Sequence, residues 1–411
     1  MRIGAVGSYW TGAAEHAGLE FVALPQPIDA MPRPQADPVA SRLRDGNLHQ
    51  AAHARSPVSL IVDSNFEGLG FLPALGNPQG VDLLHERIGV PLASHLVDPL
   101  LTCMRGLPAN VALAAARSRT WWKFAFDRAL AAELRAFGVP SVEYLPQAAP
   151  DRIAEMEFVR APLDVSRMER QIAFIGSQAT NYFGANAAHK GDHQLVGAMA
   201  LARKLERPES TFFEAYHEAY GFADAPSPND SAETLASKFA QYQNHKLFYV
   251  AALWVAQRNR YVRALTNKLG SDFHLHGSNW ESLGVRGGPA FEGEEGYLRA
   301  FRTSLININL NNGNTETGLN QRAFEITAAG GFMLCAAAPE LPELFRVGEE
   351  CDCFRNETEL FEKIAYYRAH PERTAEIAFA GQQRTLKEHL FSNRIRTMLE
   401  RTGVQSIRAA A

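Results

Sequence analysis

An arginine and a glutamate three residues apart are the side chains whose types and spacing point most directly to chemistry. Arg322 and Glu325 lie in Asn320–Leu334 (NQRAFEITAAGGFML), whose start is typical of a helix, so both share one face of it. A helix N-terminus offers free amides and a positive dipole to a diphosphate, and an arginine adds charge-assisted hydrogen bonds to phosphate. A glutamate one turn along can accept hydrogen bonds from both ribose hydroxyls. The same spacing also fits an ordinary Arg–Glu pair on the surface of a packed helix.

Small and polar residues follow two predicted strands, Gln171–Ile175 and Phe273–His276. Backbone amides at such strand ends are able to face a phosphate, whereas an ordinary turn is the alternative. The tryptophan after the second strand suits base stacking or packing, and metal binding by the two histidines of that strand is a weaker alternative. The candidate binding residues are Gly176, Ser177, Gly277, Asn279 and Trp280.

A row of asparagines adds one more candidate, Asn309. Asn307, Asn309 and Asn311 alternate along the predicted strand Ser304–Leu310 and therefore point to one face. The row either lines a cleft, where Asn309 would contact a ligand, or faces solvent.

The first half of the chain holds candidates for binding and activating a second substrate. His95 and Asp98 follow a predicted strand, and a histidine or aspartate there suits a base that deprotonates a hydroxyl. Ser8 and Asn65 also follow strands and are candidates for binding the molecule that carries this hydroxyl. The alternative for His95 is a hydrogen-bonded histidine inside a strand. The first glycines do not form G-x-G-x-x-G, which disfavours a nicotinamide site.

The composition is that of a folded protein with two domains. The chain has 411 residues, of which 46% are hydrophobic and 21% charged, and its formal net charge is −4. This charge disfavours nucleic acid and anionic membranes as partners. No apolar run reaches the roughly 18–20 residues that span a bilayer, and the start MRIGAVGSYW does not resemble a signal peptide. We therefore expect a cytoplasmic protein without a transmembrane segment.

Short apolar runs alternate with helical stretches along the chain, and the pattern restarts near residue 170. This alternation predicts two successive α/β units with parallel sheets, which bind substrates at the carboxyl ends of their strands. The Cys351-x-Cys353 spacing favours a short strand over a metal site. An aromatic-rich helical insertion spans about residues 186–270, where the aromatic side chains form a core, cap a site, bind an acceptor protein or make a homodimer.

The last quarter of the chain resembles CgeB-like glycosyltransferases, which are related to the group-1 glycosyltransferases. An ordered series of motifs carries this resemblance: R-x-F-E-x-x-A-x-G from Arg322, G-E-E at Gly348, E-L-x-x-K-I-x-Y-Y from Glu359, P-E-R at Pro371, A-x-x-G-Q-x-R from Ala378 and H-x-x-x-x-R from His389. Many group-1 enzymes carry a second glutamate eight residues before the one matched by Glu325. Thr317 occupies that place here, with Glu316 beside it, so the role of the first glutamate is in doubt.

The resemblance implies a GT-B fold, in which two Rossmann-like domains with parallel sheets face a cleft. We expect an acceptor domain at residues 1–165, a donor domain at 166–390 and a C-terminal helix at 391–411 that crosses back to the first domain. A nucleotide-diphosphate sugar would be the co-substrate, with no cofactor and no metal. The donor-binding set implied is Gly176, Ser177, Gly277, Asn279, Trp280, Asn309, Arg322 and Glu325, with His95 and Asp98 catalytic and Ser8 and Asn65 on the acceptor.

The resulting prediction is a metal-independent, hexosyltransferase-like glycosyltransferase that acts on an unidentified protein, glycan or small molecule. A nucleotide-sugar epimerase or hydrolase on the same fold is one alternative. A non-catalytic interaction protein with a GT-B-like fold is another.

Overall fold

The computed structural model describes residues 2–6, 8–24, 58–65, 71–73, 81–103, 108–161, 163–178, 192–207, 209–220, 225–289 and 291–404. The chain divides into two compact units. The first comprises Met1–Pro146, Tyr220–Asn244 and Phe391–Ala411, and the second comprises Gln147–Ala219 and His245–Leu390. The predicted boundary between the domains lies at residue 165, whereas the second unit begins at Gln147.

The first unit is built on a parallel sheet of six strands in the order β2-β1-β3-β6-β7-β8. An antiparallel pair, β4 and β5, accompanies this sheet. The strands are β1 (Arg2–Val6), β2 (Glu20–Leu24), β3 (Val58–Ser64), β4 (Phe71–Pro73), β5 (Val81–Leu83), β6 (Leu92–Leu96), β7 (Trp121–Ala125) and β8 (Val142–Tyr144).

Helices of the first unit connect these strands. They are α1 (Ser8–His16), α2 (Leu84–Arg87), α3 (Leu100–Cys103), α4 (Ala109–Ala116) and α5 (Arg128–Ala136). Asp127 caps α5 by accepting a hydrogen bond of 2.8 Å from the Leu130 amide, which satisfies one of the free donors of its first turn. The sequence pattern at residues 81–88 favours one helix, but β5 occupies its first three residues because they pair with β4.

The second unit is built on a parallel sheet of five strands in the order β10-β9-β11-β12-β13. Its strands are β9 (Arg170–Ile175), β10 (Phe273–His276), β11 (Ser304–Asn309), β12 (Met333–Ala336) and β13 (Asp352–Phe354). The order reverses between β9 and β11, and ligands of such sheets bind at that switch point, outside the carboxyl ends of the strands. Two α/β units, each with a parallel sheet, confirm the predicted fold class.

Helices cover both faces of the second sheet. Ile172 and Phe174 of β9 pack in one buried cluster, whereas Ile175 packs in the other, as the alternation of side chains along a strand requires. The helices from α6 to α14 are α6 (Glu157–Arg160), α7 (Asp192–Glu206), α8 (Phe212–Tyr220), α9 (Ala232–Leu269), α10 (Gly293–Arg302), α11 (Gln321–Ala328), α12 (Leu341–Leu344), α13 (Glu357–Ala369) and α14 (Pro371–Glu388).

The last helix, α15 (Phe391–Thr402), belongs to the first unit. Its first residue, Phe391, stacks on Tyr9 of α1 with ring centroids 5.2 Å apart and meets Trp10 edge to face at 5.1 Å. Aromatic packing therefore holds the C-terminal helix against the first helix of the chain.

Three helices, α7 to α9, account for most of the predicted insertion. Phe212 stacks on Tyr249 at 4.8 Å, and Tyr216 meets His245 edge to face at 5.3 Å. These tyrosines and Phe212 are buried, so this part of the aromatic-rich region forms a core. Within the described residues, no helix has both the length and the apolar character needed to cross a membrane.

Candidate functional site

The N-terminus of α11 is fixed to the end of β11 by one asparagine. Asn320 accepts a hydrogen bond from the Ala323 amide and so caps the helix. Its own side chain donates to the Leu310 carbonyl at 3.1 Å. The helix therefore starts beside the switch point of the second sheet, where its free amides can receive an anion.

Arg322 lies in the first turn of α11 with its guanidinium against the end of β9. A Cβ placed on Gly176 would stand 3.3 Å from Arg322 Nη1, and the guanidinium carbon lies 6.0 Å from the centre of the Phe174 ring. Arg322 Nε and Nη1 are buried and have no hydrogen-bond partner among the described residues. Because buried polar groups are nearly always hydrogen-bonded, these two donors mark a place for an anionic ligand.

Arg258, on α9, brings a second guanidinium to the same ring. Its side chain is 1% exposed and lies 5.7 Å from the centre of Phe174 and 4.9 Å from that of Trp254. It donates hydrogen bonds to the Ser177 carbonyl and to Asn312 Oδ1. Sequence reasoning missed this residue, because its only signal is an arginine inside a long helix remote from the other candidates.

The two arginines create an electropositive site. Burial, and then the neighbouring Arg322, lower the pKa of Arg258. Neither guanidinium forms an ion pair with a carboxylate in the described part of the chain. Two guanidinium groups within about 6 Å of the same aromatic ring are suited to the two charged phosphates of a diphosphate.

Glu325 lies one turn after Arg322, and both oxygens of its carboxylate accept hydrogen bonds. Tyr297 Oη donates to Oε2 at 2.8 Å, and Gln321 Nε2 donates to Oε1 at 2.8 Å. Burial raises the pKa of Glu325, although Tyr297, Arg322 and Gln321 each oppose this effect. Because a carboxylate has about four lone-pair positions, each oxygen can still accept one hydrogen bond from a ligand.

The turns after β9 and β10 are fastened together. Gly176 donates its amide to the His276 carbonyl at 2.8 Å, and Trp280 Nε1 donates to the Gly176 carbonyl at 2.9 Å. Gly277 has φ of +129°, and a Cβ there would stand 2.5 Å from the Gly176 carbonyl carbon. A glycine is therefore required at residue 277 for the two turns to approach so closely.

Trp280 and Asn279 each contact this pair of turns. Trp280 is fully buried and meets Phe174 edge to face at 6.0 Å. Of its two predicted roles, the ring therefore fits packing in the core rather than stacking on a base. Asn279, at φ of +69°, donates to the Gln178 carbonyl at 3.2 Å. Ser177 Oγ accepts a hydrogen bond of 3.0 Å from the Ser278 amide. The predicted residues of these two turns therefore lie together beside Arg322 and Arg258.

The asparagines of β11 do not face solvent. Asn307 and Asn309 are each 1% exposed, and Asn307 donates to the Phe301 carbonyl at 2.8 Å. Neither amide atom of Asn309 has a hydrogen-bond partner among the described residues. Asn311 follows the end of the strand and donates to the Gly318 carbonyl at 3.1 Å.

Glu316 is held inside the loop that precedes α11. Its Oε1 pairs with Lys246 Nζ at 2.9 Å, both side chains are 2% exposed, and its Oε2 accepts from the Phe212 amide at 2.5 Å. Burial alone would raise the pKa of Glu316, but Lys246 and the other donors lower it overall. The neighbouring Thr317 donates to Glu340 at 2.6 Å. Both side chains therefore fix the loop from the inside.

In the first unit, His95 is completely buried in β6. Its Nε2 donates to the Leu145 carbonyl at 2.9 Å, and Trp10 and Phe391 meet its ring edge to face. Burial lowers the pKa of His95 to about 4. This position does not support the predicted role as a base facing a bound acceptor, because no edge of the ring is exposed.

Asn65 and Asp98 lie in direct contact at the carboxyl ends of β3 and β6. Asn65 Nδ2 donates to Asp98 Oδ2 at 2.8 Å, and Asn65 Oδ1 accepts from the Val97 amide at 2.8 Å. Two residues predicted separately, one for binding and one for catalysis, thus form one polar pair. Ser8 begins α1, and the preceding Gly7 lies outside the described residues.

No cluster of three or more metal-ligating side chains occurs in the part of the chain that the structure describes. His276 Nδ1 interacts with the Pro289 carbonyl at 3.1 Å. Cys335, Cys351 and Cys353 are buried free cysteines, and Cys353 lies in β13.

Comparison with protein families gives one similarity. Residues 257–400 match a family described as glycosyl transferase-like. This range contains Arg258, Tyr297, Arg322 and Glu325. No curated protein matches the chain.

Comparison with solved structures gives similarities along nearly the whole chain. A sucrose-phosphate synthase from Thermosynechococcus elongatus is 11% identical, with 99% of this chain and 100% of that chain covered and a TM-score of 0.45. An alpha-glucosyltransferase solved with UDP and DNA is 12% identical, with 98% and 99% covered and a TM-score of 0.48. HepE from Anabaena, solved with UDP-glucose, is 13% identical, with 97% and 99% covered and a TM-score of 0.43.

Proposed function

We propose that this chain is a glycosyltransferase that binds a nucleotide-diphosphate sugar in its second unit and transfers the glycosyl group to a hydroxyl of an acceptor. In this reaction the bond between the anomeric carbon and the phosphate oxygen breaks, and the nucleoside diphosphate leaves. A bond from the anomeric carbon to the acceptor oxygen forms, and the acceptor hydroxyl loses its proton. The similarity of residues 257–400 to a glycosyl transferase-like family supports this proposal.

Two buried donors of the Arg322 guanidinium carry the proposal. Its Nε and Nη1 are buried without a hydrogen-bond partner among the described residues, at the switch point of a doubly wound sheet. Arg258 adds a second cation that also contacts the Phe174 ring. The diphosphate receives hydrogen bonds from Arg322 and from the first amides of α11, beside the turn at Gly176. These groups stabilise the negative charge that develops on the departing diphosphate.

Glu325 binds the ribose in this proposal. The two lone pairs left open on its carboxylate accept hydrogen bonds from the ribose hydroxyls, one turn away from the arginine that holds the phosphates. A metal ion is not needed to neutralise the diphosphate where two guanidinium groups already do so. A hexose as the transferred sugar, a cytoplasmic location and a homodimer remain predictions.

The first unit receives the acceptor, and the pair of Asn65 and Asp98 is its best-placed polar group. Asp98 is partly exposed and follows β6, so its carboxylate can accept a proton from an acceptor hydroxyl. His95 acts as the support of this strand end through its bond to the Leu145 carbonyl.

Calorimetry with a panel of nucleoside diphosphates tests the donor site. We expect Arg322→Ala to weaken binding at least about tenfold, because hydrogen bonds to charged groups contribute about 1.5–3 kcal/mol each. Arg260→Ala is the matched control, since Arg260 lies two residues from Arg258 on α9 but forms an exposed pair with Glu357 at 2.6 Å. Equal binding by the Arg322 variant and the control refutes the proposed diphosphate site.

Product analysis separates transfer from its rivals. Donor sugar is incubated with and without a pool of acceptors, in the presence of excess EDTA. We expect turnover that depends on acceptor and survives EDTA. If free sugar is released quickly without acceptor, the activity is hydrolysis rather than transfer. If an epimerised donor forms without acceptor, the activity is epimerisation.

A further inference from the structure

Two side chains among the described residues hydrogen bond to the carboxylate of Glu325, one on each oxygen. Gln321 belongs to the same helix, α11, whereas Tyr297 comes from α10 and donates across to Oε2 at 2.8 Å. The hydrogen bond from Tyr297 therefore fixes the orientation of the Glu325 carboxylate relative to α10. Gln321 cannot do this, because it lies on the same helix as Glu325.

Tyr297 is itself fixed by packing. Its ring meets Phe301 edge to face, with centroids 4.8 Å apart, and it lies against the buried cluster between the second sheet and its helices. The hydroxyl can therefore reach Glu325 without ordering a flexible side chain, and the entropic penalty of the hydrogen bond is small.

The groups around Glu325 have opposing effects on the pKa of its carboxyl, and the hydrogen bond from Tyr297 is one of those that lower it. Burial raises the pKa of Glu325, and Glu294 on α10 raises it further, whereas Tyr297 and Arg322 lower it. Arg152 forms a two-bond ion pair with Glu294. Burial and the nearby Glu325 raise the pKa of Tyr297, against an opposing effect of Arg322, so its hydroxyl keeps its proton near neutral pH.

We propose that Tyr297 is a positioning residue, which holds the Glu325 carboxylate in the one orientation that leaves its open lone pairs aimed at the two ribose hydroxyls. This inference rests on the proposed function. Without the hydroxyl, the carboxylate can turn about its terminal bond, and the site loses its ability to distinguish ribose from a sugar that lacks these hydroxyls.

The test compares the affinities of ribonucleoside diphosphates and of their 2′,3′-dideoxy analogues, for the unmodified protein and for Tyr297→Phe. Tyr366→Phe is the matched control, because Tyr366 is a half-exposed tyrosine of the same unit that stacks on His370. We expect Tyr297→Phe to weaken ribonucleotide binding about tenfold, the equivalent of one hydrogen bond to a charged group. Binding of the dideoxy analogue stays unchanged and shows that the variant is folded.

A pH series adds a second measurement. We expect the loss of ribonucleotide binding on acidification to begin at higher pH in Tyr297→Phe than in the unmodified protein, since one of the groups that lower the pKa of Glu325 is gone. If Tyr297 only supports the fold, the pH dependence of ribonucleotide binding is the same in the variant and in the unmodified protein.

The outcomes distinguish a failure of the positioning role of Tyr297 from a failure of the proposed donor site. An equal loss for the ribose and dideoxy ligands, or no loss for either, overturns the positioning role and leaves the donor site standing. If the unmodified protein binds no nucleoside diphosphate, or binds both ligand types equally, the proposed role of Glu325 fails and the inference about Tyr297 fails with it.

Discussion

Replacing Gly277 by alanine tests the close approach of the two turns that frame the candidate donor site. A Cβ at this position would stand 2.5 Å from the Gly176 carbonyl carbon and 2.9 Å from the Ser177 amide nitrogen, and it would have to tolerate φ of +129°. Strained backbone of this kind costs about 1–3 kcal/mol, and overpacking adds about 1–3 kcal/mol. We therefore expect Gly277→Ala to lower the free energy of unfolding by about 4 kcal/mol.

Gly284→Ala is the matched control for this substitution. Gly284 also has a positive φ, +71°, but no atom lies within 4 Å of a Cβ placed there, so only the backbone term applies. We expect a loss of about 1 kcal/mol, the lower end of the penalty for a left-handed residue. For a unit of this size, about 4 and about 1 kcal/mol correspond to shifts in Tm of roughly 8–16 °C and roughly 2–4 °C.

Thermal unfolding followed by tryptophan fluorescence measures both shifts, because buried Trp280 donates to the Gly176 carbonyl in the affected turn. The same samples are titrated with nucleoside diphosphate, and only Gly277→Ala should weaken binding. Shifts in Tm that agree within about 3 °C for the two variants would show that the turns can separate without penalty, and would refute the reasoning.

Three further predictions follow from buried charges and rings. Lys246→Met removes the cation that forms an ion pair with the buried Glu316 carboxylate, so we expect a loss of about 3–5 kcal/mol in urea unfolding; a loss under about 1 kcal/mol contradicts the buried pair. Glu325→Gln replaces one acceptor oxygen by an amide nitrogen, which cannot accept a hydrogen bond, so the affinity for nucleoside diphosphate should fall; unchanged affinity in calorimetry contradicts this. The pKa of His95 is about 4 when folded and about 6.5 when unfolded, so the unfolded chain binds more protons and stability falls as pH drops through this window; His95→Gln should flatten that fall, and an unchanged pH dependence contradicts it.

Local patterns predicted the framework of the second unit well. The runs at Phe273–His276 and Gln171–Ile175 correspond to β10 and β9 within one residue, because short apolar runs ending in glycine leave few alternatives. The stretch that carries Arg322 and Glu325 is helical as predicted, over Gln321–Ala328. Spacing within one helix is a local property, so a single sequence can reveal it.

Contacts between distant segments were beyond the reach of such patterns. Arg258 meets the end of β9 from a helix that begins at Ala232, and Tyr297 meets Glu325 from another helix. Polarity alone also left two alternatives for His95, and the structure matches the hydrogen-bonded histidine inside a strand, with the Leu145 carbonyl as its partner. The direction in which a strand residue points depends on register and on the neighbouring layers, which a spacing rule does not contain.

The placement of Arg258 on α9 has a consequence for shortened versions of the protein. The similarity to the glycosyl transferase-like family begins at residue 257, one residue before this arginine. A fragment cut at that point would retain Arg258 but lose Lys246, which anchors the same helix to Glu316, and the arginine would lie in the frayed first turn of an unsupported helix. A shortened version that keeps the candidate site should therefore begin upstream of α7, because Lys204 of α7, Phe212 of α8 and Lys246 of α9 all contact Glu316.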